Sequence, residues 1–139
     1  MSDKPLQCEI VTPDRLMYEQ EAEFVVVPAM DGEMGMYYMH APTICMIDKG
    51  CVRITPADEG PTVRLAVSGG YVEIDGEHVI LLVERAVNME DVDVEEVKQT
   101  VSALEEEVAS YEAGDESGFT ARYNLEWNKM LLHIAESAA

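Results

Sequence analysis

The chain has 139 residues, 47% of them hydrophobic, and carries 28 acidic against 9 basic side chains for a formal charge of −19. That length suits one ordinary domain or a small domain with an appendage, and that apolar fraction is enough for a core, which argues against intrinsic disorder. A surface this acidic is repelled by nucleic-acid phosphates and anionic lipid headgroups, so neither is expected as a direct partner, and any docking surface should be neutral or basic.

No apolar run approaches the roughly 18 residues that span a bilayer, and Met1-Ser2-Asp3-Lys4 begins nothing like a signal peptide. The expectation is a soluble protein made in the cytosol. Residues 6–12 alternate apolar and polar, the period of a half-buried strand, and Thr12-Pro13-Asp14-Arg15 is a turn signal. Residues 16–19 and 22–27 read as two further strands, the second ended by Pro28. In Asp31-Gly32-Glu33-Met34-Gly35, two glycines bracket Glu33 as a turn would. Pro42 fixes its own φ and pushes Ala41 towards extended geometry. Residues 31–42 therefore read as a loop carrying the Glu33 carboxylate, the His40 imidazole and exposed apolar side chains, the make-up of a contact surface rather than of a catalytic site.

Residues 44–47 and 51–55 read as a hairpin across Asp48-Lys49-Gly50. Asp58-Glu59-Gly60-Pro61 turns the chain into 63–67, Ser68-Gly69-Gly70 breaks it, and 71–74 and 79–83 form a last hairpin around Asp75-Gly76. Short strands every eight to twelve residues, each with one apolar face, are the pattern of an antiparallel sandwich or barrel. Cys8, Cys45 and Cys51 lie within this alternation with no CxxC pair or metal-ligand spacing, so buried free thiols are expected.

From residue 88 the period changes. Val94, Val97, Val101, Leu104, Val108 and Tyr111 fall on one helical stripe, with Asp93 as N-cap, Glu96 completing a capping box, and Ala113-Gly114 as the stop. A second helix from near Ser117 carries Phe119, Tyr123, Trp127, Met130, Leu131 and Ile134 on its own stripe, so the two should pack as an antiparallel hairpin. The domain reading is a β-sandwich over 1–87 and a helical hairpin over 88–139. A pair of helices this short must rest on the sandwich or on a partner, and becomes a movable element if the two options are close in energy.

No catalytic residues or metal ligands are expected. His40, His78 and His133 lie in three different elements, Ser68-Gly69-Gly70 is not a nucleophile elbow, and Asp31 with Glu33 is the kind of pair any acidic turn supplies.

In this order and at these separations, Val11-Thr12-Pro13-Asp14-Arg15, Ala22-Glu23-Phe24-Val25-Val26-Val27-Pro28, Gly32-Glu33-Met34-Gly35 with His40-Ala41-Pro42, and Val67-Ser68-Gly69-Gly70-Tyr71-Val72-Glu73 resemble the epsilon subunits of F-type ATP synthases, called delta in mitochondria. The resemblance implies an antiparallel β-sandwich of about ten short strands followed by an antiparallel two-helix hairpin. It also implies a non-catalytic place in the central stalk of a proton-translocating enzyme, peripheral on the cytoplasmic face of the bacterial membrane with no direct lipid insertion. There the subunit would couple rotation of the c-ring and gamma subunit to ATP synthesis. Glu33 and His40 would fall on positions facing the polar loops of the ring, with Glu33 able to pair with a basic residue there. Tyr38 and Met39 fill the place of a Pro-Gly turn usual in the family, which adds apolar contact.

Bacterial members carry an (Ile/Leu)-Asp-x-x-Arg-Ala motif through which some bind ATP. Here Asp93 matches, but Glu96 replaces the arginine and Val97 the alanine, so no nucleotide or other cofactor is expected. In the family's inhibitory state the second helix enters the catalytic head of alpha and beta subunits with the help of basic residues. From Glu90 onwards this chain has Lys98, Arg122 and Lys129 against thirteen acids. Arg122 and Lys129 share a helix face and are the candidates for a weak version of that regulation. The alternative reading is an acidic β-sandwich adaptor with a helix-docking hairpin, unrelated to rotary motors.

Overall fold

The computed structural model describes residues 4–137, which divide into one compact unit ending at Glu90 and a second beginning at Asp91. The first contains nine strands among the described residues: β1 (Leu6–Val11), β2 (Leu16–Ala29), β3 (Gly32–Met36), β4 (Thr43–Ile47), β5 (Gly50–Pro56), β6 (Val63–Val67), β7 (Gly70–Ile74), β8 (His78–Val83) and β9 (Ala86–Asn88). They hydrogen-bond in the order β1-β8-β7-β4-β2-β5-β6-β9, with β3 also on β2 and β1 returning to β2. The sheet thus folds back on itself around one core. Leu6, Cys8 and Ile10 of β1, Val72 and Ile74 of β7, and Val79 and Leu81 of β8 point into it from one side. Val25 and Val27 of β2, Val52 and Ile54 of β5, and Leu65 and Val67 of β6 meet them from the other. Each is at alternate positions of its strand, as period two requires.

The sandwich is as expected in class, and four details differ. Residues 16–29 form one strand, not two. Its first half pairs with β1 from Val11↔Leu16 to Leu6↔Ala22, and its second half pairs with β5 and β3. The exposed Glu19-Gln20-Glu21 run, which looks like an interruption, lies within the β1 ladder, and β2 changes partners at Ala22, where the β5 ladder begins with a bulge before Phe24. Pro28 does not end it, because this residue lies opposite Glu33 within the β2–β3 ladder.

Secondly, the sheet is mixed: β1 runs parallel to β8, from Gln7↔His78 to Val11↔Leu82. Two strands joined by no local turn leave no mark of their relative direction in turn chemistry. Thirdly, β4 and β5 are not a hairpin. β4 pairs with β7 and, at Ala29↔Ile47, with β2, whereas β5 pairs with β2 and β6. Asp48-Lys49 carries the chain across the sandwich, held where the Asp48 N–H donates to the Pro28 carbonyl at 2.7 Å.

Lastly, of the three thiols only Cys8 is fully buried; Cys45 and Cys51 are half-buried. Burial pushes the Cys8 thiol up to about 12 and raises the other two.

Ser68-Gly69-Gly70 marks a close crossing. Ser68 and Arg85 bond reciprocally, the Ser68 N–H donating to the Arg85 carbonyl and the Arg85 N–H to Ser68 Oγ, both at 3.0 Å. Gly70, at φ +152°, lies so close to β8 that a Cβ there would overlap the carbonyl oxygen of Leu82. At the other hairpin, Asp75 Oδ1 accepts from the Glu77 and His78 N–H groups, and these bonds hold the Asp75 carboxyl below the usual range.

In the second unit, α1 (Val94–Ala109) is capped by Asp93, whose carboxylate accepts from the Glu95 and Glu96 N–H groups at 3.1 and 3.3 Å. Among the described residues the Glu96 side chain makes no return bond, so the cap is Asp93 alone and not a capping box. α1 ends at Ala109 with Ser110 as C-cap, before Ala113-Gly114, because the Ser110 N–H and Oγ both turn back to the Glu107 carbonyl. α2 (Phe119–Ser137) follows a 3-10 turn, Glu116–Gly118, capped by Asp115. Val97 and Val101 of α1 are buried with Ala121, Trp127, Leu131 and Ile134 of α2. Phe119 and Tyr123 leave the expected stripe. They are exposed and stack on each other at 6.5 Å between centroids, while Ala121 takes the inward place.

Candidate interaction surface

The segment expected to be one loop is in fact a strand with different chemistry at each end. Met30-Asp31 is a two-residue turn between Ala29 and Gly32, which face each other in the ladder. Gly32, at φ +130°, closes that turn. Gly35 has another task. It sits inside β3 beneath the Phe24 ring, where a Cβ would come within 2.6 Å of Phe24 Cζ, and Phe24 stacks on Tyr37 at 4.2 Å.

Glu33 is therefore a strand residue, and it is already paired. Arg53 of β5 reaches across β2 and donates from its two terminal nitrogens to the two carboxylate oxygens, at 2.7 and 3.1 Å. The hydrogen bonds from Arg53 hold the Glu33 carboxyl below its ordinary range, and Glu33 raises Arg53 in return. Because the folded pKa is lowered, this stabilisation is present above the unfolded carboxyl's pKa and is lost as pH falls through the folded one. With side chains 42% and 55% exposed, the pair is worth about 0–1 kcal/mol.

At the far end of β3 the chain turns. The Tyr37 carbonyl accepts from the His40 N–H at 3.1 Å, and the Met39 N–H donates to Gly76 of the β7–β8 hairpin at 2.6 Å. Tyr38 donates its hydroxyl to Glu77 and lies under the Lys4 ammonium, 5.7 Å from the ring centroid. His40 is half-buried, its Nδ1 2.8 Å from the Ala41 carbonyl oxygen. Met39 is left projecting, 71% exposed, at φ 67°. That is the third position of a turn that favours glycine, so the methionine is held in a left-handed conformation costing about 1–2 kcal/mol. Met39→Gly should remove that strain, less the ~0.4–1 kcal/mol entropy a glycine returns to the unfolded chain. Thermal unfolding should show a net gain of ~0.5 kcal/mol; a loss would contradict the strain.

At about 3.3 Å per residue, Glu33 and Tyr37 are roughly 13 Å apart along the strand. Glu33 on one side, and Tyr38, Met39 and His40 on the other, are thus two separate points and not one cluster.

A third surface was not expected. Met46, Tyr71 and Leu82 face one another in register across β4, β7 and β8, with Ile44 two residues along β4, and each is more than half exposed. The signal lay in unbroken apolar runs, Ile44-Cys45-Met46-Ile47 and Leu81-Leu82-Val83, where both faces of the strand are apolar.

In the hairpin, Asp93 is occupied as a cap, Glu96 points to solvent and Val97 is buried. Arg122 donates to the Asp115 carbonyl at 2.6 Å and Lys129 lies 3.9 Å from Glu105, so both candidate cations already hold partners inside the hairpin. Among the described residues no group of His, Cys, Asp or Glu has metal-holding geometry, and no helix is long and apolar enough to cross a membrane.

Residues 5–89 match the family model of the ATP synthase Delta/Epsilon chain, beta-sandwich domain. The ATP synthase epsilon chain of Carboxydothermus hydrogenoformans is 38% identical over 109 residues, covering 78% of this chain and 79% of that one. That of Neisseria meningitidis serogroup C is 35% identical over 100 residues, covering 72% and 71%. Among solved structures, a chain of the Euglena gracilis mitochondrial ATP synthase, in an OSCP/F1/c-ring assembly, superposes with TM-score 0.67 at 16% identity over 95% of this chain and 78% of its own length. A chain of the Tetrahymena thermophila mitochondrial ATP synthase, from the central stalk and c-ring, gives 0.54 at 12% over 96% and 95%. The two structures agree on the fold, and the matching sandwich and sequence relatives leave no support for an unrelated adaptor: this chain belongs to the ATP synthase delta/epsilon family.

Proposed function

We propose that the chain is a non-catalytic central-stalk subunit of a proton-translocating F-type ATP synthase, peripheral on the cytoplasmic face of a bacterial membrane, where it binds the gamma subunit and the c-ring. The observation that carries this is the apolar row Met46-Tyr71-Leu82 with Ile44 on a closed sandwich. On a protein of charge −19 it is a neutral surface on which a partner can dock without meeting like charge. We assign it to gamma. The two ends of β3, at Glu33 and at Tyr38-Met39-His40, are the proposed footholds on the polar loops of the ring.

A stalk subunit must transmit torque, and a sandwich whose core side chains interdigitate at crystal-like density is stiff enough to do so. The hairpin is proposed to act weakly on ATP hydrolysis through alpha and beta. Its thirteen acids oppose entry into an acidic cleft, and Arg122 and Lys129 must first leave Asp115 and Glu105. The test is purification of the tagged chain from membranes of its own source: gamma, c, alpha and beta should come with it, and recovery of none of them refutes the reading.

A further inference from the structure

We propose that Arg53 is a positioning residue of the ring contact: it turns Glu33 from a free anion into half of a neutral hydrogen-bonding fork, so the ring loop docking there brings a neutral polar group and no lysine or arginine of its own. The inference rests on the stalk reading above and concerns the chemistry of one of its contacts.

Both Glu33 oxygens already accept from Arg53, at 2.7 and 3.1 Å. A carboxylate has about four acceptor positions and a guanidinium five donors, so the fork still offers free acceptors on one side and free donors on the other. An amide or a main-chain peptide group, which is both donor and acceptor, can bond to both halves and brings no charge to desolvate. An incoming cation fares worse, since it must share Glu33 with Arg53. It also meets Arg64, directly opposite Arg53 in the β5–β6 ladder. The backbone on each side is fixed, because β3 and β5 both pair with β2.

The experiment compares Glu33→Gln, Arg53→Gln and the exchanged pair Glu33→Arg/Arg53→Glu in the assembled enzyme in inverted membrane vesicles, reading protons pumped per ATP hydrolysed. Each single variant should lower the ratio, and to the same degree, whereas the exchanged pair should recover it. On the isolated chain, whose melting temperature checks folding, the Glu33 carboxyl should titrate at higher pH in Arg53→Gln than in the wild type. If Glu33→Gln uncouples while Arg53→Gln pumps normally, Glu33 meets a cation of the ring directly and the proposal is overturned. Absence of the wild-type chain from the purified enzyme is a separate result, and it would strike the stalk reading itself.

Discussion

Gly70→Ala is expected to cost ~3 kcal/mol or more, which for a small domain of ~5–15 kcal/mol total stability threatens folding itself. The obstacle is the backbone of β8. A Cβ at residue 70 would overlap the Leu82 carbonyl oxygen and lie 3.0 Å from both the Leu82 carbonyl carbon and Val83 Cα. These atoms belong to the β7–β8 ladder, in which Gly70 faces Val83, while on its other side Gly70 faces Ile47 of β4. No side chain can rotate away, so relief requires opening one ladder or the other. The backbone at φ +152° adds a second penalty for any residue with a Cβ. Gly114→Ala is the control. It too has positive φ, +87°, but nothing lies within 4 Å of the added methyl, so only the conformational cost of about 1–2 kcal/mol should appear. Urea unfolding of the two variants separates crowding from conformation. A Gly70→Ala protein no less stable than Gly114→Ala would refute the crowded crossing.

The same crossing shows what a sequence can and cannot reveal here. Ser68-Gly69-Gly70 announces a break, and alternation places nearly every strand, because a half-buried strand writes its faces into its own residues. The hairpin was equally legible, since Val97, Val101, Trp127, Leu131 and Ile134 fall on stripes that only a helix aligns. What escaped depends on partners distant in the chain. Nothing local to Glu33 says that Arg53, twenty residues on, will take both its oxygens across an intervening strand. Gly35 reads as a turn glycine until Phe24 is seen lying on it. The parallel direction of β1 against β8 is set by the closure of the sandwich and by no turn between them. Phe119 and Tyr123 had the helical spacing of core residues, and their mutual stacking shows that spacing alone does not say which neighbour a stripe will find.

Tyr71→Asp combined with Leu82→Asp should release the chain from its stalk partner while leaving the isolated protein folded. The two side chains are neighbours in the β7–β8 ladder, and both stand outward, more than half exposed, so neither contributes to the core beneath them. The variant should still fold but melt several degrees lower, because surface substitutions away from caps and cores usually cost under about 0.5 kcal/mol each and two carboxylates facing each other across the β7–β8 ladder cost up to about 1 kcal/mol more. Docking is another matter. Aromatic and aliphatic anchors at the centre of an interface commonly carry ~2 kcal/mol or more each, and a carboxylate placed there must be desolvated without a partner. Two such losses correspond to at least roughly a thousandfold in affinity. Glu73, on the same outward face of β7 and opposite Ile44, provides the comparison: as a polar residue beside the apolar row it belongs to the wet rim, and Glu73→Ala should retain the chain in the purified enzyme. If the double aspartate variant co-purifies with gamma as well as the wild type does, the apolar row faces solvent in the assembled enzyme, and the contact with gamma must lie on another face of the sandwich.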